Sequence, residues 1–364
     1  MMNKEVEILK MPKWGMTMTE GTIVSWLKKE NDFLQKGEEI IEIETDKITN
    51  VIEAEKTTYV RKILVPEGKT VKCGDPLAIL SHEVLSSEQI SSMIEADNVN
   101  NNTDEVSSEE RYIEVDGINI RVSTQLASTD NLPIIFLHGF GADGSSWQLV
   151  ESHFVNKYSL HTIDLPNHGG SSISLNHTSV EGLTKVLSKI VSLLAPDGCH
   201  LVGHSLGGLL SITIAQIISP IIRSLTLIAP AGIGQEINRE FLSDFVTVKK
   251  RREMKQVLLL LVENSNFITS NMVEKALMVG RIDGASEALT KISEDILEQT
   301  QSGTVAKLLK ELNCSVKLIW GAKDSIIPVA EPRSEIIDEV GHMPQLECPA
   351  TVNTIIENHL RENF

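Results

Sequence analysis

Between residues 22 and 80 the chain repeats one pattern of apolar and polar positions. Ile23, Trp26, Leu27, Leu34, Gly37, Ile40 and Ile43 are matched 37 residues later by Val60, Ile63, Leu64, Val71, Gly74, Leu77 and Leu80. Short apolar runs set off by turn residues predict strands. The repeat therefore predicts two similar β units packed face to face. Residues 39–43 and 48–52 are two such runs, with Glu44-Thr45-Asp46-Lys47 between them. A charged, turn-prone tetrapeptide between strands predicts a hairpin that joins the two units and holds Lys47 out at its tip.

After Leu80 the pattern stops. Residues 81–110 are rich in Ser, Asn, Asp and Glu and poor in large apolar residues. Such a segment cannot bury enough surface to offset its ordering entropy. It predicts a flexible acidic linker over 83–110, with room for a short helix near 87–96. About 28 flexible residues span roughly 30 Å, which keeps the first domain (1–82) concentrated near whatever follows.

From residue 111 the pattern returns in a new form. Residues 112–115 and 119–126 alternate and predict an antiparallel pair across Asp116-Gly117. Buried-looking strands at 133–137, 160–164, 200–203, 224–228 and 315–320 are then separated by helical stretches such as 180–194 and 206–218. Strand–helix alternation predicts a mostly parallel sheet covered on both faces. Residues from about 232 to 313 interrupt it and read as a helical cap, with helices at 246–262 and 272–279. A last helix is expected near 352–360. The chain is thus a multidomain protein, all-β and then α/β over 111–364.

Composition narrows the partners. A net charge of −17 over 364 residues argues against nucleic acid or an anionic membrane as the main partner. Cys73, Cys199, Cys314 and Cys348 are widely spaced, which fits a reducing interior and no metal cluster. The longest aliphatic run, 257–262, is too short to cross a bilayer. The first residues lack an apolar core of leader length. The expectation is cytoplasmic.

One constellation in the second half carries chemistry. Leu201-Val202-Gly203-His204-Ser205-Leu206-Gly207-Gly208 follows an apolar strand and opens a helix, the setting that Gly-x-Ser-x-Gly requires. Leu137-His138-Gly139-Phe140-Gly141 leaves a strand end. Gly321-Ala322-Lys323-Asp324 follows the 315–320 strand, and Gly341-His342-Met343-Pro344 comes last. A serine hydroxyl needs an adjacent base to become a nucleophile. His342 is the expected base and Asp324 its orienter, with Asp143 and Glu331 as weaker rivals for the acid. Backbone N–H groups of Phe140 and Leu206 would hold the oxyanion. The bland alternatives are a helix-capping serine, a turn-capping aspartate and a core histidine. His138 and His204 are expected to pack beside the site, and the loop with Asp164, His168 and Gly169 to be structural. Only twelve residues separate Pro328 from Gly341, too few for a helix of more than about a turn before the strand at 335–340.

Two resemblances follow from these residues. The ungapped repeat with Glu44-Thr45-Asp46-Lys47 between its halves resembles the lipoyl domain, a flattened β-barrel; the Met-Lys-Met tip of biotin carriers is absent. That resemblance implies lipoate joined to Lys47 by an amide bond, made by a lipoylating enzyme. The order Ser205, Asp324, His342 resembles the α/β-hydrolase fold with a helical lid. The helical subunit-binding domain and the His-x-x-x-Asp-Gly signature of pyruvate dehydrogenase acyltransferases are missing.

Together the halves resemble the acyltransferase family of the acetoin dehydrogenase complex. This implies acetyl transfer from dihydrolipoyl-Lys47 to coenzyme A. A thiamine-diphosphate-dependent acetoin-cleaving dehydrogenase would load the arm, and a flavin-containing dihydrolipoyl dehydrogenase would reoxidise it. Transfer can run through acetyl-Ser205, or directly with His342 deprotonating coenzyme A. Two other readings stay open: a lipoylated hydrolase that releases free acid, and a carrier or assembly subunit with an inactive second domain. No basic patch announces a phosphate site, and Lys249-Lys250-Arg251-Arg252 reads as a solvated helix face.

Overall fold

The computed structural model describes residues 6–12, 20–44, 49–54, 56–83, 85, 90 and 109–363. The chain divides into two compact units, Met1–Glu105 and Val106–Phe364.

The first unit contains strands β1 (Val6–Lys10), β2 (Glu20–Trp26), β3 (Phe33–Leu34), β4 (Glu39–Glu44), β5 (Thr49–Glu53), β6 (Thr58–Ile63), β7 (Thr70–Lys72) and β8 (Pro76–Ser81). They form two four-stranded sheets, ordered β1-β8-β6-β3 and β5-β4-β2-β7. The sequence repeat maps β2, β3 and β4 onto β6, β7 and β8. Each repeat pairs its first and third strands, β2 with β4 and β6 with β8. Its short middle strand crosses to the other sheet, so that β3 pairs with β6 and β7 with β2. The two halves are therefore interlocked rather than merely stacked. Ile23, Ile40, Ile43, Val60, Leu77 and Leu80 are buried where the sheets meet. Burying a side chain of that size stabilises by about 1.5–3 kcal/mol.

The hairpin ladder runs from Glu39↔Glu53 to Glu44↔Thr49. Thr45, Asp46 and Lys47 lie outside the described residues, as does most of the expected helix at 87–96.

The second unit is built on β9 (Glu109–Val115), β10 (Ile118–Gln125), β11 (Ile134–Leu137), β12 (Leu160–Ile163), β13 (Cys199–His204), β14 (Ile222–Ile228), β15 (Ser315–Gly321) and β16 (Glu335–Ile337). Their order is β16-β15-β14-β13-β11-β12-β10-β9. The β9–β10 and β10–β12 pairs are antiparallel; β11 to β16 pair in parallel. Asp116 and Gly117 both take positive φ (53° and 79°), as a two-residue hairpin turn demands.

Helices α1 (Gln148–Phe154), α2 (Val180–Leu194) and α3 (Leu206–Ile217) connect the sheet. Helices α4 (Arg239–Thr247), α5 (Arg251–Leu259), α6 (Ser270–Val279), α7 (Ala285–Ser302) and α8 (Thr304–Glu311) form the insertion between β14 and β15. Helices α9 (Pro344–Glu347) and α10 (Pro349–Arg361) end the unit. Side chains alternate across the sheet: Ile134 and Phe136 pack with Trp147, Phe154, Val352 and Ile356. Ile135 and Leu137 face the larger core shared with α2, α3 and the insertion.

Two expectations differ from the structure. The helix at 246–262 is instead two helices, α4 and α5. Asn238 starts α4 earlier by accepting the Phe241 N–H (2.9 Å), and Val248 and Lys250 are extended. The break lets both apolar faces, Phe241/Leu242/Phe245 and Met254/Val257/Leu258, reach the core. The eighteen-residue α7, bounded by Gly284 (φ 78°) and Gly303 (φ 65°), lies within the expected helical cap, without bounds of its own in the sequence reading. Between Pro328 and Gly341 there is one turn, closed by the Ser334 N–H on the Glu331 carbonyl (3.0 Å), and then three-residue β16. No helix among the described residues is long and apolar enough to cross a membrane.

Candidate active site

Ser205 sits between β13 and α3 with φ 52° and ψ −113°. That is a strained backbone for a residue with a side chain, worth about 1–3 kcal/mol. The surroundings impose it. The Ser205 N–H donates to the Ile228 carbonyl (2.9 Å), and its carbonyl accepts from Leu209 and Ala231 (both 3.1 Å). The flanking glycines are needed for space. A Cβ on Gly203 would lie 2.5 Å from the Gly207 carbonyl oxygen, and one on Gly207 would lie 2.1 Å from the Leu137 carbonyl oxygen. The helix start is thus pressed against the end of β11.

Asp324 and His342 come together. His342 Nδ1–H donates to Asp324 Oδ2 at 2.8 Å, and both side chains are almost fully buried. Asp324 Oδ1 accepts from the Ile326 and Ile327 N–H groups (2.8 and 2.9 Å). The carboxylate is therefore fixed on one side and leaves its other oxygen for the histidine, whose Nε2 is then the bare, proton-accepting nitrogen. The short segment before His342 does not prevent the contact. Gly321 and Gly341 explain how: a Cβ on Gly321 would meet the Gly341 carbonyl oxygen at 2.1 Å, so the two loops touch backbone to backbone.

Ser205 is joined to this pair through its neighbour. His204 Nε2–H donates to the His342 carbonyl (2.8 Å), and the two rings are 4.8 Å apart. Burial, and then the nearby His342, hold His204 well below the usual histidine range. It is a neutral donor that anchors the His342 main chain. The Ser205 hydroxyl itself makes no hydrogen bond among the described residues.

The Gly139–Phe140 loop closes the other side. A Cβ on Gly139 would lie 3.2 Å from Ser205 Cβ. The N–H groups of Phe140 and Leu206 have no acceptor among the described residues. His138 shapes this loop. It donates from Nδ1 to the Gly139 carbonyl (2.8 Å) and accepts the Leu165 N–H at Nε2 (3.0 Å); burial lowers its pKa. His168, lowered to about 3 by burial and then by His138, packs its ring 6.0 Å from Phe140.

The rivals lie elsewhere. Asp143 pairs with Lys275 (3.3 Å) and Glu331 with Arg333 (3.0 Å). Asp164 is buried under Arg121 (3.0 Å) and accepts the Gly144 and Gly170 N–H groups, which fits the structural role read for its loop. In the basic run, Lys250 pairs with Glu253 and Arg251 with Glu274. All four side chains are exposed.

One residue at the site escaped the sequence reading. The Glu347 carboxylate accepts the Gly341 N–H (2.7 Å) and the Glu263 and Asn264 N–H groups (2.9 and 3.0 Å). Its position five residues after His342 is the only local signal; its partners in the cap come from the fold.

Comparison with known proteins bears on the whole chain. Residues 7–80 match the biotin-requiring enzyme family, and residues 134–355 match the alpha/beta hydrolase family. A dihydrolipoyllysine-residue acetyltransferase component of an acetoin cleaving system from Pseudomonas putida is 30% identical over 99% of this chain and all of its own length. The chain belongs to that family. A second member of the acetoin cleaving acetyltransferase components, from Cupriavidus necator, is 29% identical over 96% of both chains. In this chain a lipoyl domain precedes an α/β-hydrolase domain. A bacterial membrane phospholipase A of known structure superposes with a TM-score of 0.61 at 20% identity, over 75% of this chain and 92% of its own, and shares the hydrolase fold.

Proposed function

We propose that this chain passes an acetyl group from a dihydrolipoyl arm on Lys47 to coenzyme A, using Ser205, His342 and Asp324, as the acyltransferase of an acetoin-cleaving multienzyme complex. The observation that carries the reading is the 2.8 Å contact between His342 and a doubly anchored Asp324, in a chain matched end to end by an acetoin-system acetyltransferase. The hairpin fits an amide-linked lipoyl group, because β4 and β5 stay paired up to Glu44 and Thr49, so only residues 45–48 are left to carry the modified lysine. When bound there, a lipoyl group supplies a dithiol that carries acyl units as thioesters.

The chain's own residues then act in order. His342 Nε2 takes the Ser205 hydroxyl proton as Oγ attacks a thioester carbonyl carbon. The N–H groups of Phe140 and Leu206 hold the developing oxyanion, each worth about 3 kcal/mol. The carbon–sulfur bond breaks, and the departing sulfur takes the proton from His342. Acetyl-Ser205 remains. The coenzyme A thiol gives its proton to His342, its sulfur attacks the ester, and Ser205 Oγ leaves and recovers the proton. Asp324 steadies the imidazolium at each turn.

The same reading gives the chain a thiamine-diphosphate-dependent acetoin-cleaving dehydrogenase as acetyl source, a dihydrolipoyl dehydrogenase to reoxidise the arm, and a lipoylating enzyme. Cys199, Cys314 and Cys348 form no disulfide among the described residues, which supports a cytoplasmic setting. The test is the reconstituted complex with Ser205→Ala, followed for acetyl-coenzyme A. Loss of product is expected. Unchanged turnover would make the second domain an assembly element, and free acetate in place of acetyl-coenzyme A from the unaltered chain would make it a hydrolase.

A further inference from the structure

Three contacts join the cap to the loops that carry the proposed chemistry. The Phe245 ring in α4 covers Gly141, where an added Cβ would meet it at 2.3 Å, and lies 5.7 Å from the Phe140 ring. Ser325, beside Asp324, donates from Oγ to the Leu260 carbonyl just after α5 (2.7 Å). Gly341, beside His342, touches residues 261–263 so closely that a Cβ there would lie 2.9 Å from both the Glu263 nitrogen and Val262 Cα.

The third contact is fastened by Glu347. One carboxylate oxygen takes the Gly341 N–H, and the other takes the N–H groups of Glu263 and Asn264. A carboxylate is suited to this position because both oxygens accept, and such charge-assisted bonds are stronger than neutral ones. A glutamine has one accepting oxygen and would turn an N–H₂ toward further N–H donors.

We propose that Glu347 is a positioning residue that latches the cap onto the His342 loop, so that acetyl-Ser205 is shielded from water while it waits for the coenzyme A thiol. This rests on the transfer reading above. With the latch broken, a water oxygen attacks the ester carbon and the Ser205 Oγ–carbon bond breaks. Acetate departs, and the water's proton returns through His342 to Oγ. The latch therefore controls the partition between thiol and water at one intermediate.

The experiment uses the full lipoylated chain with an acetyl thioester donor and coenzyme A, and measures acetyl-coenzyme A and free acetate in the same sample. Glu347→Gln should raise the ratio of acetate to acetyl-coenzyme A by roughly tenfold, the scale of losing charged hydrogen bonds. The ratio is set within folded molecules, so partial unfolding lowers both products without moving it. Ser325→Ala, which frees the neighbouring Leu260 contact and keeps the carboxylate, should raise the ratio in the same direction by less. It also provides the test if Glu347→Gln does not fold. An unchanged ratio in a folded variant, while the unaltered chain makes acetyl-coenzyme A, overturns the latch alone. An unaltered chain that makes no acetyl-coenzyme A overturns the latch together with the transfer reading.

Discussion

In the first unit the proposed carrier, Lys47, belongs to a stretch of sequence bracketed by one pair of strands, β4 and β5. In the second unit the proposed site is assembled from the ends of β11, β13 and β15 and from the loop after β16, and Ser205, Asp324 and His342 are far apart in the chain. The glycines record the difference. Gly37 and Gly74 bend turns with open space around them, whereas Gly203, Gly207, Gly321 and Gly341 are pressed against backbone. Presenting a carrier needs local pairing. Bringing a nucleophile, a base and an acid together needs the whole sheet, strained backbone at Ser205 and loops in direct contact. The first unit's site should therefore tolerate change that the second unit's site does not.

The sharpest way to break this contrast is to separate the two functions. With an acetyl thioester of free dihydrolipoamide as donor, Ser205→Ala should lower acetyl-coenzyme A formation by about 10⁴-fold or more. Lys47→Arg should leave that reaction unchanged, yet abolish turnover in the reconstituted complex and remove the lipoyl mass from the intact chain. If Lys47→Arg also disables the free-donor reaction, the units are not functionally separable. Next in size is Asp324→Asn, which keeps the shape but offers His342 an amide. Loss of about 10³–10⁴-fold in kcat is expected, and a loss below tenfold would point to another orienting group.

Acid should also distinguish the units. Burial holds His161, His200 and His359 to about 4 and His168 to about 3. Each folded pKa lies below the unfolded value of about 6.5. Unfolded chains therefore bind more protons between these values, and stability present above pH 6.5 falls as the pH drops toward 4. The slope approaches about 1.4 kcal/mol per pH unit for each such group. All four lie in the second unit, so its thermal transition should fall first as the pH drops below 6.5; a parallel decline of both units would contradict this.

The smallest expected effect isolates space from backbone strain. Gly37 and Gly232 share nearly the same φ (85° and 84°). A Cβ on Gly37 meets nothing within 4 Å, whereas one on Gly232 meets Val305 side-chain carbons at 2.9 Å. Both alanine variants pay for positive φ, about 1 kcal/mol. Gly232→Ala should lose a further 1–3 kcal/mol or so from overpacking, read as a larger shift of its own unit's melting temperature.

Much of this was legible in the residues. The repeat foretold which strands of the first unit correspond, because side chains that fill one core must recur at fixed spacing. It did not foretell that β3 and β7 change sheets, since a two-residue strand carries no signal of its partner. In the second unit, Ser205, Asp324 and His342 stood out because each follows a predicted strand and has glycine within three residues. The cap was harder. Its helices are amphipathic over short lengths, and the break at 248–250 depends on which faces reach the core. His204 and Glu347 bond to main-chain groups from distant segments, and such partners leave no mark in local sequence.

The central claim is that the acetyl group passes through Ser205. The direct test is rapid quenching of the lipoylated chain with acetyl thioester donor and no coenzyme A, followed by mass analysis of the peptide that contains Ser205. The account predicts one acetyl group on Ser205, lost to coenzyme A on its addition at least as fast as overall turnover. Steady formation of acetyl-coenzyme A with Ser205 unacetylated at every quench time would contradict it and leave direct attack by coenzyme A as the route.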